Sequence, residues 1–266
     1  MRILLLGDIC GPAGMKIIQS KLGELIKEKK INFTVANGEN AAENGKGITK
    51  SNYKDLISAG VDVITSGNHI WDQKDILDII DQEKKIIRPA NFLEGVPGNG
   101  YGIYEIKNKK IAVINLIGNV FMKKSQDLFS FTEKLMKKIK LKKDVDFIVI
   151  DIHGEITSEK MALGHYLDGK VTSVVGTHTH VPTADTKILN KGTAYQTDLG
   201  MCGDYDSVIG MNKENSLNRF KKVDSVKHFP AKGDATLSGV IVDCNIETGL
   251  AKKIRSYIFG GQLKNY

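Results

Sequence analysis

The chain has 266 residues, 41% hydrophobic and 26% charged, a globular balance that excludes a disordered chain or a fibrous repeat, and its apolar runs are too short to span a bilayer. Three widely spaced cysteines, Cys10, Cys202 and Cys244, exclude a disulfide framework and a thiolate zinc site, and reduced thiols in a cytoplasmic protein are expected. The net charge of +7 comes from lysine runs at 27–30, 107–110 and 134–143 with no interleaved aromatic residues, so solvated faces are expected rather than a nucleic-acid groove.

Read in chain order, residues 3–6 form a short strand, because Gly7-Asp8 breaks the apolar stretch too soon for a leader peptide. A helix with apolar positions Ile17, Ile18, Leu22, Leu25 and Ile26 follows, then a strand over 33–36 that runs into Asn37-Gly38-Glu39-Asn40. Ser51 is a candidate cap for a helix through Leu56 and Ile57. A third strand over 61–65 ends in Ser66-Gly67-Asn68-His69, and a further helix is expected over 73–82. Strands alternating with helices imply a mainly parallel sheet, which binds ligands at the carboxyl ends of its strands.

Residues 102–106 and 111–115 then flank Lys107-Asn108-Lys109-Lys110 as a hairpin, adding antiparallel strands. After a helix over 127–139, a buried strand over 146–151 ends in Ile152-His153. A helix over 158–167 leads to Val171-Thr172-Ser173-Val174-Val175, a β-branched strand that delivers Gly176-Thr177-His178-Thr179-His180. The last third reads as strands over 186–189 and 193–197, a glycine-containing loop over 198–203, a short helix over 213–222, and a closing pair over 237–244 and 252–258. No repeat or linker interrupts this pattern, and a single domain over 1–266 is expected.

The strand ends carry ligand types: Asp8, Glu39 with Asn40, Asn68 with His69, His153, then His178 and His180. Carboxylate, amide and imidazole together suit borderline divalent metals. Taken singly, each has an ordinary structural use. Asp8 or Asn68 could cap a helix, Glu39 and Asn40 could shape a turn, His69 could pack on Trp71, and His153 could be a hydrogen-bonded core histidine. Placed at the carboxyl edge of one sheet, they could instead converge on two metals about 3.5–4 Å apart.

In order and spacing, Gly7-Asp8, Gly38-Glu39-Asn40, Gly67-Asn68-His69, His153 and Gly176-Thr177-His178-Thr179-His180 resemble the motifs of the calcineurin-like metallophosphoesterases. The likeness covers nearly the whole chain. Two departures, Cys10 where that superfamily has a histidine and Glu39 where it has a bridging aspartate, resemble its YmdB-type bacterial phosphodiesterase branch. Gly98-Asn99-Gly100-Tyr101-Gly102 and Thr197-Asp198-Leu199-Gly200-Met201 resemble that branch too.

The resemblance implies an α/β fold, a four-layered α-β-β-α sandwich with mixed sheets. It implies a first metal held by Asp8, Glu39, Asn40 and His180, and a second held by Glu39, Asn68, His153 and His178. Iron is expected, with manganese and zinc as alternatives. His69 is left to protonate the leaving alkoxide or to stabilise the transition state. The implied activity is hydrolysis of small phosphodiesters, 2′,3′-cyclic and also 3′,5′-cyclic nucleoside monophosphates, by a hydroxide between the metals. A phosphomonoesterase or nuclease with the same centre, and a regulatory RNA-binding protein with little turnover, are the alternatives. No membrane partner is expected, and a homo-oligomer, dimer or tetramer, is. His165 and His228 lie outside these motifs and are expected to be structural or surface residues. Cys10, near the proposed metals, is expected to be sensitive to oxidation.

Overall fold

Runs of apolar residues without polar alternation need cover on both faces of a strand, and helices or a second sheet must supply it. The computed structural model describes residues 1–223 and 227–263. Strand and helix alternate through β1 (Arg2–Cys10), α1 (Gly11–Glu28), β2 (Phe33–Asn40), α2 (Lys50–Ala59) and β3 (Val63–Thr65). The expected hairpin is β4 (Tyr101–Ile106) with β5 (Lys109–Ile117), followed by α3 (Leu128–Lys138), β6 (Phe147–His153), α4 (Thr157–Leu167) and β7 (Ser173–Thr177). The rest of the chain gives β8 (Lys187–Ile188), β9 (Ala194–Gln196), β10 (Met201–Asp204), α5 (Lys213–Phe220), β11 (Ala235–Cys244) and β12 (Ala251–Phe259).

These strands form two six-stranded mixed sheets, ordered β12-β11-β10-β1-β2-β3 and β4-β5-β6-β7-β9-β8. Period-two alternation then sorts the side chains. Ile3, Leu5 and Val35 of the first sheet pack against Val113, Phe147 and Val149 of the second in one inter-sheet core. Their neighbours Leu4, Leu6 and Ala36 turn outward onto α1 and α2, where Ile18, Leu22 and Leu56 meet them. On the far side Ile114, Ile148 and Ile150 pack on Leu135 of α3 and Leu163 of α4. The layer order is helix, sheet, sheet, helix.

Several local expectations change. Thr49, not Ser51, caps α2: its side chain accepts the N–H of Asn52, and the Asn52 side chain accepts the N–H of Thr49, a reciprocal capping box. The helix expected over 73–82 is a single 3-10 segment, Lys74–Asp78, in which Ile76 is the buried residue. Ile80, beyond that segment, is buried as well, so it is tertiary packing and not a lack of apolar residues that overrides the helical spacing. The ligand-type residues also come from two sheets rather than one edge, with β1, β2 and β3 in the first and β6 and β7 in the second. No helix among the described residues is long and apolar enough to cross a membrane.

Candidate metal centre

Five strand ends meet where the two sheets abut. Asp8 is fully buried at the end of β1, where the pairing with β2 shifts register on either side of it. Such irregularities re-aim a side chain. Asp8 Oδ2 accepts the N–H of His178 at 3.0 Å. Asp8 Oδ1 is buried with no hydrogen-bond partner among the described residues, 3.9 Å from His180 Nε2. Burial pushes this carboxyl up to about 6, against the pull of His180 and His153.

Glu39 lies within β2, not in a turn. Its Oε2 accepts the N–H of His69 at 3.1 Å, and its Oε1 is 2.9 Å from His153 Nε2. The tautomers of the nearby histidines follow from their other partners. Thr177 donates its hydroxyl proton to Asp151 at 2.7 Å, so Thr177 Oγ1 accepts from His153 Nδ1 at 2.9 Å. His178 Nε2 is 3.1 Å from the Glu155 carboxylate and donates there. His153 Nε2 and His178 Nδ1 therefore face each other at 3.0 Å beside Glu39 Oε1, and lone pairs so placed need a cation among them. In the metal-free protein that cation is a proton. Burial opposes the His153 imidazolium, but Glu39, Asp8 and Asp151 outweigh it and lift it to about 9, whereas burial and His153 hold His178 down at about 3.

A second facing pair stands beside the first. His180 Nδ1 donates to the carbonyl of Ile209 at 2.8 Å, and Asn40 Nδ2 donates to the carbonyl of Gly45 at 2.9 Å. What remains is His180 Nε2 opposite Asn40 Oδ1 at 3.2 Å, acceptor against acceptor. With the unpartnered Asp8 Oδ1 these atoms fit a divalent ion, and no sulfur ligand is called for. The donor atoms of Glu39, His153 and His178 lie within 4.8 Å of one another, as one ion requires.

Asn68 enters through the backbone. A Cβ on Gly67 would fall 2.2 Å from Glu39 Oε2 and 2.3 Å from His153 Nε2, so only glycine lets the chain pass against the cluster. Asn68 Oδ1 is then buried without a hydrogen-bond partner among the described residues, as Asp8 Oδ1 is. His69 holds Asp72 Oδ2 through Nδ1 at 2.7 Å, which makes Nε2 the nitrogen available to a substrate. Cys10 also lines the cleft, but burial, helped by Asp8 and Asp204, pushes its thiol up to about 12. That opposes the expected sensitivity to oxidation, since the thiolate is the reactive form.

Other residues hold these in place, and sequence reasoning did not single them out for this. His178 and His180 sit at positive φ, 108° and 64°, conformations that cost non-glycine residues about 1–3 kcal/mol each. The turn is clamped by Asp198, whose Oδ2 accepts the N–H of Thr179 at 3.1 Å and pairs with the buried Lys160 at 2.8 Å. Lys160 Nζ also donates to the carbonyl of Thr177 at 3.3 Å. Asp151, beneath His153, accepts from Thr65, Thr177 and Asn37. Asp198 lies in a motif that resembles the phosphodiesterase branch, but Lys160 sits in an ordinary helix and carries no signal in the sequence.

The centre opens into a cleft of about 340 Å³ whose lining includes His69, His178, His180, Lys46, Ile209 and His228. That is the scale of a small-molecule site.

Comparison with known proteins gives a match over residues 4–257 to the family model described as YmdB-like protein. The 2′,3′-cyclic-nucleotide 2′-phosphodiesterase of Bacillus subtilis (strain 168) is 47% identical over 254 residues, covering 96% of this chain and 95% of that protein. A Mycoplasma pneumoniae protein whose crystal structure is described as a novel phosphatase superposes with a TM-score of 0.91 at 36% identity, covering 98% of this chain and 93% of that one. The 5′-nucleotidase precursor of Thermus thermophilus shares the fold alone, with a TM-score of 0.56 at 11% identity over 97% of this chain and 54% of that one.

Proposed function

The chain belongs to the YmdB-like family and is a hydrolase with the metallophosphoesterase fold, and from that premise we propose that it hydrolyses small phosphodiesters in a metal-dependent reaction. The preferred class is 2′,3′-cyclic nucleoside monophosphates, with 3′,5′-cyclic ones second. The observation that carries this reading is the convergence of Glu39 Oε1, His153 Nε2 and His178 Nδ1, with no hydrogen bond that satisfies all three, beside a cleft of small-molecule size.

Asp8, Glu39, Asn40 and His180 would hold one ion, and Glu39, Asn68, His153 and His178 the other. Iron is the metal this reading favours, and manganese or zinc would suit the same ligands. Bound there, the ions lower the pKa of water and neutralise charge on the phosphoryl oxygens. The chain's own part is positional. Thr177 and Glu155 fix the tautomers of His153 and His178, and Asp72 orients His69 to give a proton from Nε2 to the leaving alkoxide. A symmetric homo-oligomer, dimer or tetramer, completes the reading.

The Mycoplasma pneumoniae relative described as a phosphatase supports a second reading, phosphomonoester hydrolysis at the same centre. Turnover of 2′,3′-cyclic AMP and of a nucleoside 3′-monophosphate by wild type, His69→Ala and chelator-treated protein separates the two. We expect the diester to be the faster substrate, with loss of turnover on chelation and a drop of about 10²–10⁴ in His69→Ala, the range for a general acid. Turnover unaffected by chelation overturns both readings.

A further inference from the structure

A second cleft of about 300 Å³ adjoins the first and is lined by Val208, Ile209, Ser216, Arg219, Phe220 and His228. The two share Ile209 and His228 in their linings, so they adjoin at those residues. Ile209 forms the partition. Its carbonyl accepts the Nδ1 proton of His180 at 2.8 Å, while its backbone is at φ 48° and the residue is 54% exposed. A β-branched residue at positive φ is a true conformational outlier, and such strain persists where surrounding structure imposes it for a use. Here it lets one residue orient a proposed metal ligand with its backbone and offer an apolar surface to the neighbouring cleft.

The end of α5 also contributes to the lining. Phe220 closes that helix as a residue 81% exposed, and Arg219 beside it brings a planar set of donors. His228 stands where the two clefts join, its Nε2 3.4 Å from Ser216 Oγ. An aromatic ring and a branched aliphatic side chain, with Arg219 and His228 in the same lining, suit a nucleobase, since every base has π faces and a polar edge.

We propose that this cleft seats the nucleobase of a substrate whose phosphoester lies at the metal centre, with Phe220 and Ile209 against the faces of the base and Arg219 and His228 at its edge. The proposal rests on the phosphoesterase reading of the neighbouring centre and adds the origin of its preference for nucleotides over other phosphodiesters. His228, outside every motif, thereby gains a role.

The test is calorimetric binding of adenosine 3′-monophosphate and of glycerol 2-phosphate, which lacks a base, to metal-loaded wild type, Phe220→Ala and Arg219→Ala, with turnover of 2′,3′-cyclic AMP measured on the same samples. Both substitutions are at exposed positions on α5, so the fold is expected to survive. Wild type should bind the nucleotide about tenfold more tightly than glycerol 2-phosphate, the low end for a base stacked on an aromatic side chain, and that ratio should fall towards one in Phe220→Ala. A ratio of one in wild type overturns the subsite even where turnover is present. A preserved ratio without turnover supports the subsite and overturns the phosphodiesterase reading instead. If Phe220→Ala leaves the ratio intact but lowers the sedimentation mass of the protein, the apolar patch belongs to a contact with a second copy and the proposal falls.

Discussion

Replacing Lys160 by methionine tests the support of the centre without touching a proposed ligand. Lys160 and Asp198 are both inaccessible to solvent, and their charged atoms are 2.8 Å apart. Methionine keeps most of the apolar stem and removes the ammonium, which leaves the Asp198 carboxylate buried with one partner fewer. Breaking one side of a buried pair costs about 3–5 kcal/mol. Asp198 keeps the N–H groups of Thr179 at 3.1 Å and Gly200 at 2.9 Å, so the lower figure, about 3 kcal/mol, applies. With a urea slope of about 3 kcal/mol/M, the unfolding midpoint falls by about 1 M. The loss reaches the site because Asp198 anchors Thr179, between His178 and His180, so the variant also retains less metal. Urea unfolding of the metal-free protein followed by circular dichroism reads the first effect, and metal analysis of the purified variant reads the second. Lys137→Met is the control, since Lys137 pairs with Glu133 on an exposed face of α3 and such pairs contribute little. Equal midpoints for Lys160→Met and wild type would mean that the buried pair does not support the fold.

Three further outcomes follow from the centre. Burial lifts Asp8 to about 6 from an ordinary 3.8, so keeping it ionised above pH 6 costs the metal-free fold on the order of 3 kcal/mol. Below pH 3.8 the carboxyl is protonated in both folded and unfolded chains and the cost vanishes. Asp8→Asn should therefore raise the melting temperature of metal-free protein above pH 6, with the gain shrinking as the pH falls through that window, while its metal content drops; no gain at high pH contradicts the assignment. His153 in metal-free protein is held up at about 9 by Glu39, Asp8 and Asp151 against its burial, so metal binding at neutral pH must expel a proton. Calorimetry in buffers of different ionisation enthalpy should show release of about one proton for that imidazole, fading above pH 9, and no release would show that His153 stays protonated beside the ion. Gly67→Ala should fold, by circular dichroism, yet bind metal poorly, because its Cβ would meet Glu39 and His153; wild-type metal content in this variant means the loop has room to move aside.

Much of this site was legible because its residues follow apolar runs. Residues 33–36 and 171–175 announce strands by composition alone, and glycine with asparagine or histidine marks where each strand ends. Their partition between two sheets was not legible. It depends on pairings such as Arg2 with Asp243 and Leu6 with Gly239, which bring the end of the chain to the edge of β1. No local pattern encodes a contact across that separation. The helix expected over 73–82 failed for a related reason: Ile76, Ile79 and Ile80 keep a helical spacing, but tertiary contacts leave only a 3-10 segment, Lys74–Asp78. Lys160 and Asp151 escaped notice because a charged residue in a helix, or at the end of a buried strand, has no signature until its partner is known. Their partners, Asp198 and Thr177, lie 38 and 26 positions away.

Two groups of donor atoms, one around His153 and one around His180, are proposed to hold one ion each, and metal analysis of wild type, His153→Gln and His180→Gln after growth in metal-replete medium tests this. About two ions per wild-type chain are expected for a dinuclear centre, and about one in each variant, with the two variants losing different ions. Wild-type metal content in both variants, or a wild type that binds no metal under these conditions, would mean that these donor groups do not hold the two ions.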